Sequence, residues 1–212
     1  MYKKNIGFIL YSVLAFLFFG FGVSLQLKAA IGQSVLNALA ITLTALLPLK
    51  VGTILNGINS LFFISYLLLR KTQLNYKDGI QILATLTNGW VINFFLYQVL
   101  STFTAKTYVL RVILYLLGLL IASVSLGAVL AIGFIKFPLE SLCLTINQKY
   151  HKKFTAVRMS FDVIFLVLTL ILTLTTHTSL QIREGTVISI LLLSPLLGIC
   201  YNFFHKHWNT ED

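Results

Sequence analysis

The chain has 212 residues, of which 58% are apolar and only 10% charged, with a mean hydropathy of +0.90. That composition excludes an ordinary soluble domain and places the chain among integral membrane proteins. The formal charge of +10 is the excess that cytoplasmic loops of membrane proteins carry, so it does not point to nucleic acid as a partner.

In chain order, six apolar stretches reach the roughly 18 residues needed to cross a hydrocarbon core about 30 Å thick. They are Gly7 to Leu27, Val51 to Leu69, Gly79 to Leu100, Tyr108 to Gly133, Phe154 to Thr175 and Gly185 to Phe204. The first follows Lys3 and Lys4, but its apolar run exceeds the roughly 7 to 15 residues of a signal-peptide core, so it reads as a retained helix.

Two shorter segments separate the first and second spans of each half. "PLESLCLTINQKYHKK" sets Leu139, Leu142, Ile146 and Tyr150 at helical spacing among polar residues, the pattern of an amphipathic or re-entrant helix at the inner face. Residues 33–49 are more apolar and marginally long enough to span, which leaves a seventh crossing open. The internal repeat argues against it. The matching segment carries Glu140 and several lysines, and a charge at the bilayer centre costs at least about 2.5–3.5 kcal/mol on insertion scales.

With six spans, eleven basic residues fall on one side, among them Lys3, Lys4, Arg70, Lys149, Lys152 and Lys153, against five on the other, among them Lys28, Lys106 and Arg183. This asymmetry predicts both termini in the cytoplasm. Cys143 and Cys200 have no spacing partner for a metal or redox pair and read as small apolar residues.

"LNYKDG" (Leu74 to Gly79) returns 106 positions later as "LQIREG" (Leu180 to Gly185), and Gly22 of "GFGVSL" aligns with Gly127 of "SLGAVL". At an offset of 105, Leu61, Leu67 and Leu69 meet Leu166, Leu172 and Leu174. Each half holds three spans, and an odd number inserts the second copy upside down. The expected architecture is one all-α membrane domain over 1–212. It comprises six transmembrane helices as two inverted three-helix repeats (about 5–101 and 108–206), each with its short helix. Such repeats are typical of secondary transporters, whose sites lie between the halves on interrupted helices. Asn88 and Gly89 lie 106 positions from Ser194 and Pro195. Both pairs weaken helices, so they predict facing breaks near mid-depth.

The charges of "AVRMSFDVIF" carry the most chemistry. Arg158 and Asp162 are four apart, share a helix face and can pair. Asp162 lies inside the fifth span, where a carboxylate is either a structural partner of Arg158 or a proton, cation or solute contact. Gln26, Asn56, Asn59, Gln81 and Asn88 add buried polar groups, each either interhelical glue or part of a binding site, and Glu140 stands at the start of the second short helix.

The chain contains no H-E-x-x-H, G-x-S-x-G, P-loop or intramembrane aspartate pair, so no enzymatic activity, cofactor or metal site is expected. "HKH" at His205 to His207 reads as a solvated basic tail.

The glycines of "GFGVSL", the "AAIGQS" turn, "FPLESL", the arginine and aspartate of "RMSFD", and Gly185–Thr186 together resemble the YczE-like group of the YczE/YyaS/YitT integral membrane proteins of bacteria, over about Gly7 to Phe204. The chain departs from that pattern at Gln33 and Ser34, where such proteins often carry proline and tryptophan. The resemblance implies a multi-span protein of the bacterial inner membrane and carries no assigned chemistry. The expected function is a small transporter or permease with a solute or ion site between the repeats. The alternative is a non-catalytic binding or accessory subunit working with a partner such as an energising ATPase or a membrane enzyme. Expected partners are the lipid bilayer, a small-molecule or ion substrate, and a protein partner or second copy.

Overall fold

The computed structural model describes residues 2–70, 76–133 and 137–209, and every regular element within them is helical. Six helices are long and apolar enough to cross a membrane: α1 (Tyr2–Ala29), α3 (Val51–Arg70), α4 (Tyr76–Phe94), α5 (Tyr108–Ile132), α7 (Phe154–Thr176) and α8 (Glu184–Asn209). The two short helices are α2 (Val35–Thr44) and α6 (Pro138–Tyr150). With 10 residues, α2 is about 15 Å long, half a hydrocarbon core, so residues 33–49 add no seventh crossing. Leu74 and Asn75 of the first repeat motif lie outside the described residues.

Local chemistry sets the helix ends. Ala30 (φ 53°) and Gly32 (φ 108°) turn the chain sharply after α1. Thr107 caps α5 by accepting from the Leu110 backbone N–H at 3.3 Å, and Gly133 (φ 66°) ends that helix in the left-handed region. Pro138 stands in the first turn of α6, where its missing N–H costs nothing.

Lipid tails are as apolar as leucine, so hydrophobic burial does not drive these helices together; close packing and polar bonds do. At the centre α1 and α5 lie antiparallel. Ala15 and Phe16 pack with Leu126 and Val129 at one end, and Leu25 and Ala29 with Leu114 and Tyr115 at the other. Small residues permit the approach, since a Cβ on Gly22 would stand 2.7 Å from Gly118 O and 2.8 Å from Ala122 N. α4 flanks α1, where Ser24 Oγ donates to Ile92 O at 3.2 Å. α8 flanks α5, where Gly127 meets Cys200 and Tyr201. The glycines aligned by the repeat, Gly22 and Gly127, therefore both sit at seams on α5.

The short helices cross over. α2 packs on α7, and α6 packs on α3. Phe137, just before α6, stacks against Phe16 and Phe19 at 4.7 and 4.8 Å between ring centres, which carries the chain back from the end of α5 to the middle of α1.

The expected breaks do not form. α4 runs unbroken through Asn88 and Gly89, and α8 through Ser194 and Pro195. The irregularity in the third span falls later, in a π-helical turn at Phe95–Val99. Gly89 serves instead as a contact surface for α3, and Pro195 is exposed within a continuous helix, a position where proline is tolerated in membrane helices. Nor do the two pairs face each other: α4 packs on α1 and α3, whereas α8 packs on α5.

Candidate functional site

The sequence candidates separate into three places. The first is the junction of α6 with α7. One turn of helix brings Arg158 Nη1 within 2.6 Å of Asp162 Oδ1, and the packing of α6 brings Glu140 Oε1 within 3.9 Å of Arg158 Nε. Glu140 is the most enclosed of the three at 13% side-chain exposure, against 25% for Arg158 and 36% for Asp162. Its carboxylate also stands in the first turn of α6, where the helix dipole favours it. Two carboxylates share one guanidinium, so the cluster is formally short of one positive charge. Beside it an apolar cluster joins Leu139 and Cys143 of α6, Phe165 of α7, and Val35 and Leu39 of α2. Burial pushes the Cys143 thiol up to about 12, offset in part by Arg158 and reinforced by Glu140 and Asp162. Cys143 is thus a buried neutral thiol.

The second place is the seam between α3 and α4. Asn56 Nδ2 donates to Leu86 O at 2.9 Å, the Gly52 N–H donates to Asn93 Oδ1 at 2.9 Å, and Gly52 and Gly89 allow the two backbones to touch. Asn56 and Gly89 act here as interhelical glue. Asn59 on α3 is half-buried. Asn88 faces the other way, beside Gly20 of α1, and its buried Oδ1 has no hydrogen-bond partner.

The third comprises contacts at the starts of α8 and α4. Gly185 N–H donates to Ile31 O at 2.8 Å, and Gln33 N–H donates to Thr186 Oγ1 at 3.3 Å. The Tyr115 hydroxyl donates to Gly185 O at 2.5 Å, and Arg183 Nη1 reaches Ala30 O at 3.3 Å. Gln33 also donates through Nε2 to the backbone carbonyl of the candidate Gln26 at 2.6 Å, while its buried Oε1 has no partner. At the start of α4, Gln81 Nε2 donates to Ser141 Oγ of α6 at 2.9 Å. Arg70 closes the α3–α4 connection with a two-pronged bond to the buried Asp78, at 2.9 and 2.7 Å, and a further bond to the Tyr66 hydroxyl.

Of the residues predicted from sequence, the fold joins Glu140, Arg158 and Asp162 into one charged cluster and brings Asn56 against Gly89 at the α3–α4 seam. Pro195 faces outward on α8, and the side chain of Ser194 lies outside the described residues. The sequence reading passed over Gln33, Tyr115, Ser141 and Thr186 as site residues. Polar residues in the "AAIGQS" turn and after Gly185 were the available signal. An apolar groove of about 240 Å³ between α5 and α8, lined by Val124, Ile199, Cys200, Phe203 and Phe204, contains none of the candidates.

No curated protein and no solved structure matches the chain. A family match does extend over residues 6–202, nearly the whole chain, which therefore belongs to a family of unknown function, DUF6198.

Proposed function

We propose that this protein is a small, non-catalytic transporter or permease whose solute or ion passes between two inverted repeats, in keeping with its resemblance to the YczE-like proteins of the bacterial inner membrane. The observation that carries this reading is the placement of Glu140, Arg158 and Asp162 where helices of the second repeat meet α2 of the first. Ionisable groups inside spanning helices are costly and mark ion or proton paths. The reciprocal packing of α2 on α7 and α6 on α3 supports the inverted arrangement, because a two-fold axis in the membrane plane exchanges those two pairs.

The chemistry favours a cargo that is cationic or donates hydrogen bonds. The cluster has one carboxylate more than its guanidinium balances, and Gln33 Oε1 and Asn88 Oδ1 are buried acceptors without donors. The test is flux into proteoliposomes for protons, sodium, potassium and small organic ammonium ions. Uptake of at least one that is lost in Asp162→Asn supports the proposal; no flux and no ligand-induced thermal shift for any of them contradicts it.

A second reading, a binding or accessory subunit, draws on α8, which packs chiefly on α5 and has 6% of its spanning window buried. Purification in mild detergent with a stoichiometric ATPase or membrane enzyme would favour that reading. Recovery of the chain alone would favour the transporter.

A further inference from the structure

The two copies of the repeated glycine stand in opposite states. Gly185 is clamped: a Cβ there would lie 2.8 Å from Gly32 O and 3.0 Å from the Tyr115 ring. A Cβ on Gly32 would in turn stand 3.0 Å from the Arg183 backbone N, and the hydrogen bonds to Ile31 and from Gln33 close the same contact. Ile31, Gln33 and Thr186 are at most 2% exposed there. Gly79 occupies the equivalent place in the first repeat, 106 positions earlier. Among the described residues, nothing lies within 4 Å of a Cβ built on it. The residue that the repeat places opposite Gly79, 105 positions after Gly32, is Phe137. Its ring is turned toward Phe16 and Phe19, and the direct bond between these parts is Gln81 to Ser141.

The same asymmetry runs along the flanking helices. α3 and α4 are zipped through Gly52, Asn56, Gly89 and Asn93. The repeat equivalents of those residues lie on α7 and α8, which form no comparable seam among the described residues. Among the described residues, one end of the molecule is therefore closed by backbone contact and its symmetry mate lacks the equivalent contact.

We infer that this is one of two exchangeable states, and that in the other Gly79 closes on the start of α6 at Phe137 while the Gly185–Gly32 contact opens. Two copies of one structural unit facing opposite sides of a membrane can exchange conformations, and alternating access then follows from that exchange. The inference rests on the transporter reading and adds to it the contact that gates each end. Glycine at both positions is explained by the need for close backbone approach, realised at Gly185 now and at Gly79 in the exchanged state.

The experiment uses Ile31→Cys as reporter in a Cys200→Ala background, with an impermeant maleimide added from the side on which Gly185 lies. The reporter is buried behind the seal, so labelling reports its opening. Gly185→Ala should raise the labelling rate severalfold. Gly79→Leu, whose Cβ meets none of the described residues within 4 Å in the present state, should lower it severalfold by blocking the exchanged state. Parental or faster labelling in Gly79→Leu overturns the inference, and this variant decides the matter even if Gly185→Ala misfolds. Flux that persists in Gly79→Leu with parental labelling removes the gate and leaves transport standing, whereas a parent protein without flux removes the transport reading whatever the labelling shows.

Discussion

The Asn56 carboxamide lies across Gly89: its Nδ2 bonds to Leu86 O at 2.9 Å, and its Oδ1 is 2.0 Å from the place a Gly89 Cβ would occupy. No side chain fits there without parting α3 from α4. Gly89→Ala should therefore destabilise the protein by about 1–3 kcal/mol, the usual cost of overpacking. Gly57→Ala, on a side of α3 where no described residue lies within 4 Å of an added Cβ, should be neutral within about 0.5 kcal/mol. Thermal unfolding in one detergent compares the two directly, and equal losses would contradict the packing role of Gly89.

Arg158 serves two acids, so its loss should cost more than the loss of either. Arg158→Gln strands Glu140 and Asp162 together, whereas Asp162→Asn leaves Arg158 a remaining partner in Glu140. Because the groups are partly exposed, the cost for Arg158→Gln should be about 1–2 kcal/mol, below that of a fully buried pair. Adding Asp162→Asn to Arg158→Gln should recover part of that stability. Recovered stability without recovered flux marks Asp162 as a site residue; recovery of both marks a structural pair.

Cys143 should be silent to thiol reagents. Its pKa is pushed up to about 12 by burial. Raising pH toward 12 is needed to form the thiolate, so even at pH 9 only about 0.1% is ionised, whereas an ordinary thiol with a pKa near 8.5 is mostly ionised there. Maleimide labelling of a Cys200→Ala protein at pH 7 and pH 9 should be negligible when folded and complete when denatured. Appreciable labelling of the folded protein at pH 9 would contradict the burial of this thiol.

The sequence carried the helical class and the six long apolar helices because length and hydropathy dominate in a membrane chain. It also located both short segments, but it left residues 33–49 open as a seventh crossing because only the second segment carries Glu140 and lysines. It misread Asn88–Gly89 and Ser194–Pro195 because propensity describes an isolated helix. Gly89 loses helix stability locally but gains the contact with Gly52 and Asn56, and Pro195 lies exposed within a continuous helix. The Arg158–Asp162 pair was legible from spacing of four, a local relationship. Its third member, Glu140, and the contacts of Gln33 with Thr186 and Gln81 with Ser141 join residues 18, 153 and 60 positions apart, and only the tertiary packing brings such pairs together.

The proposed inverted repeats, three spans each, put the loop between α4 and α5 on one side of the membrane and the loop between α6 and α7 on the other. Single cysteines at Lys106 and at Lys152, each in a Cys200→Ala background and probed with an impermeant maleimide on intact and on opened cells, test this most directly. The Lys106 position should label in intact cells, and the Lys152 position only after the cells are opened. Labelling of both positions from the same side would contradict it.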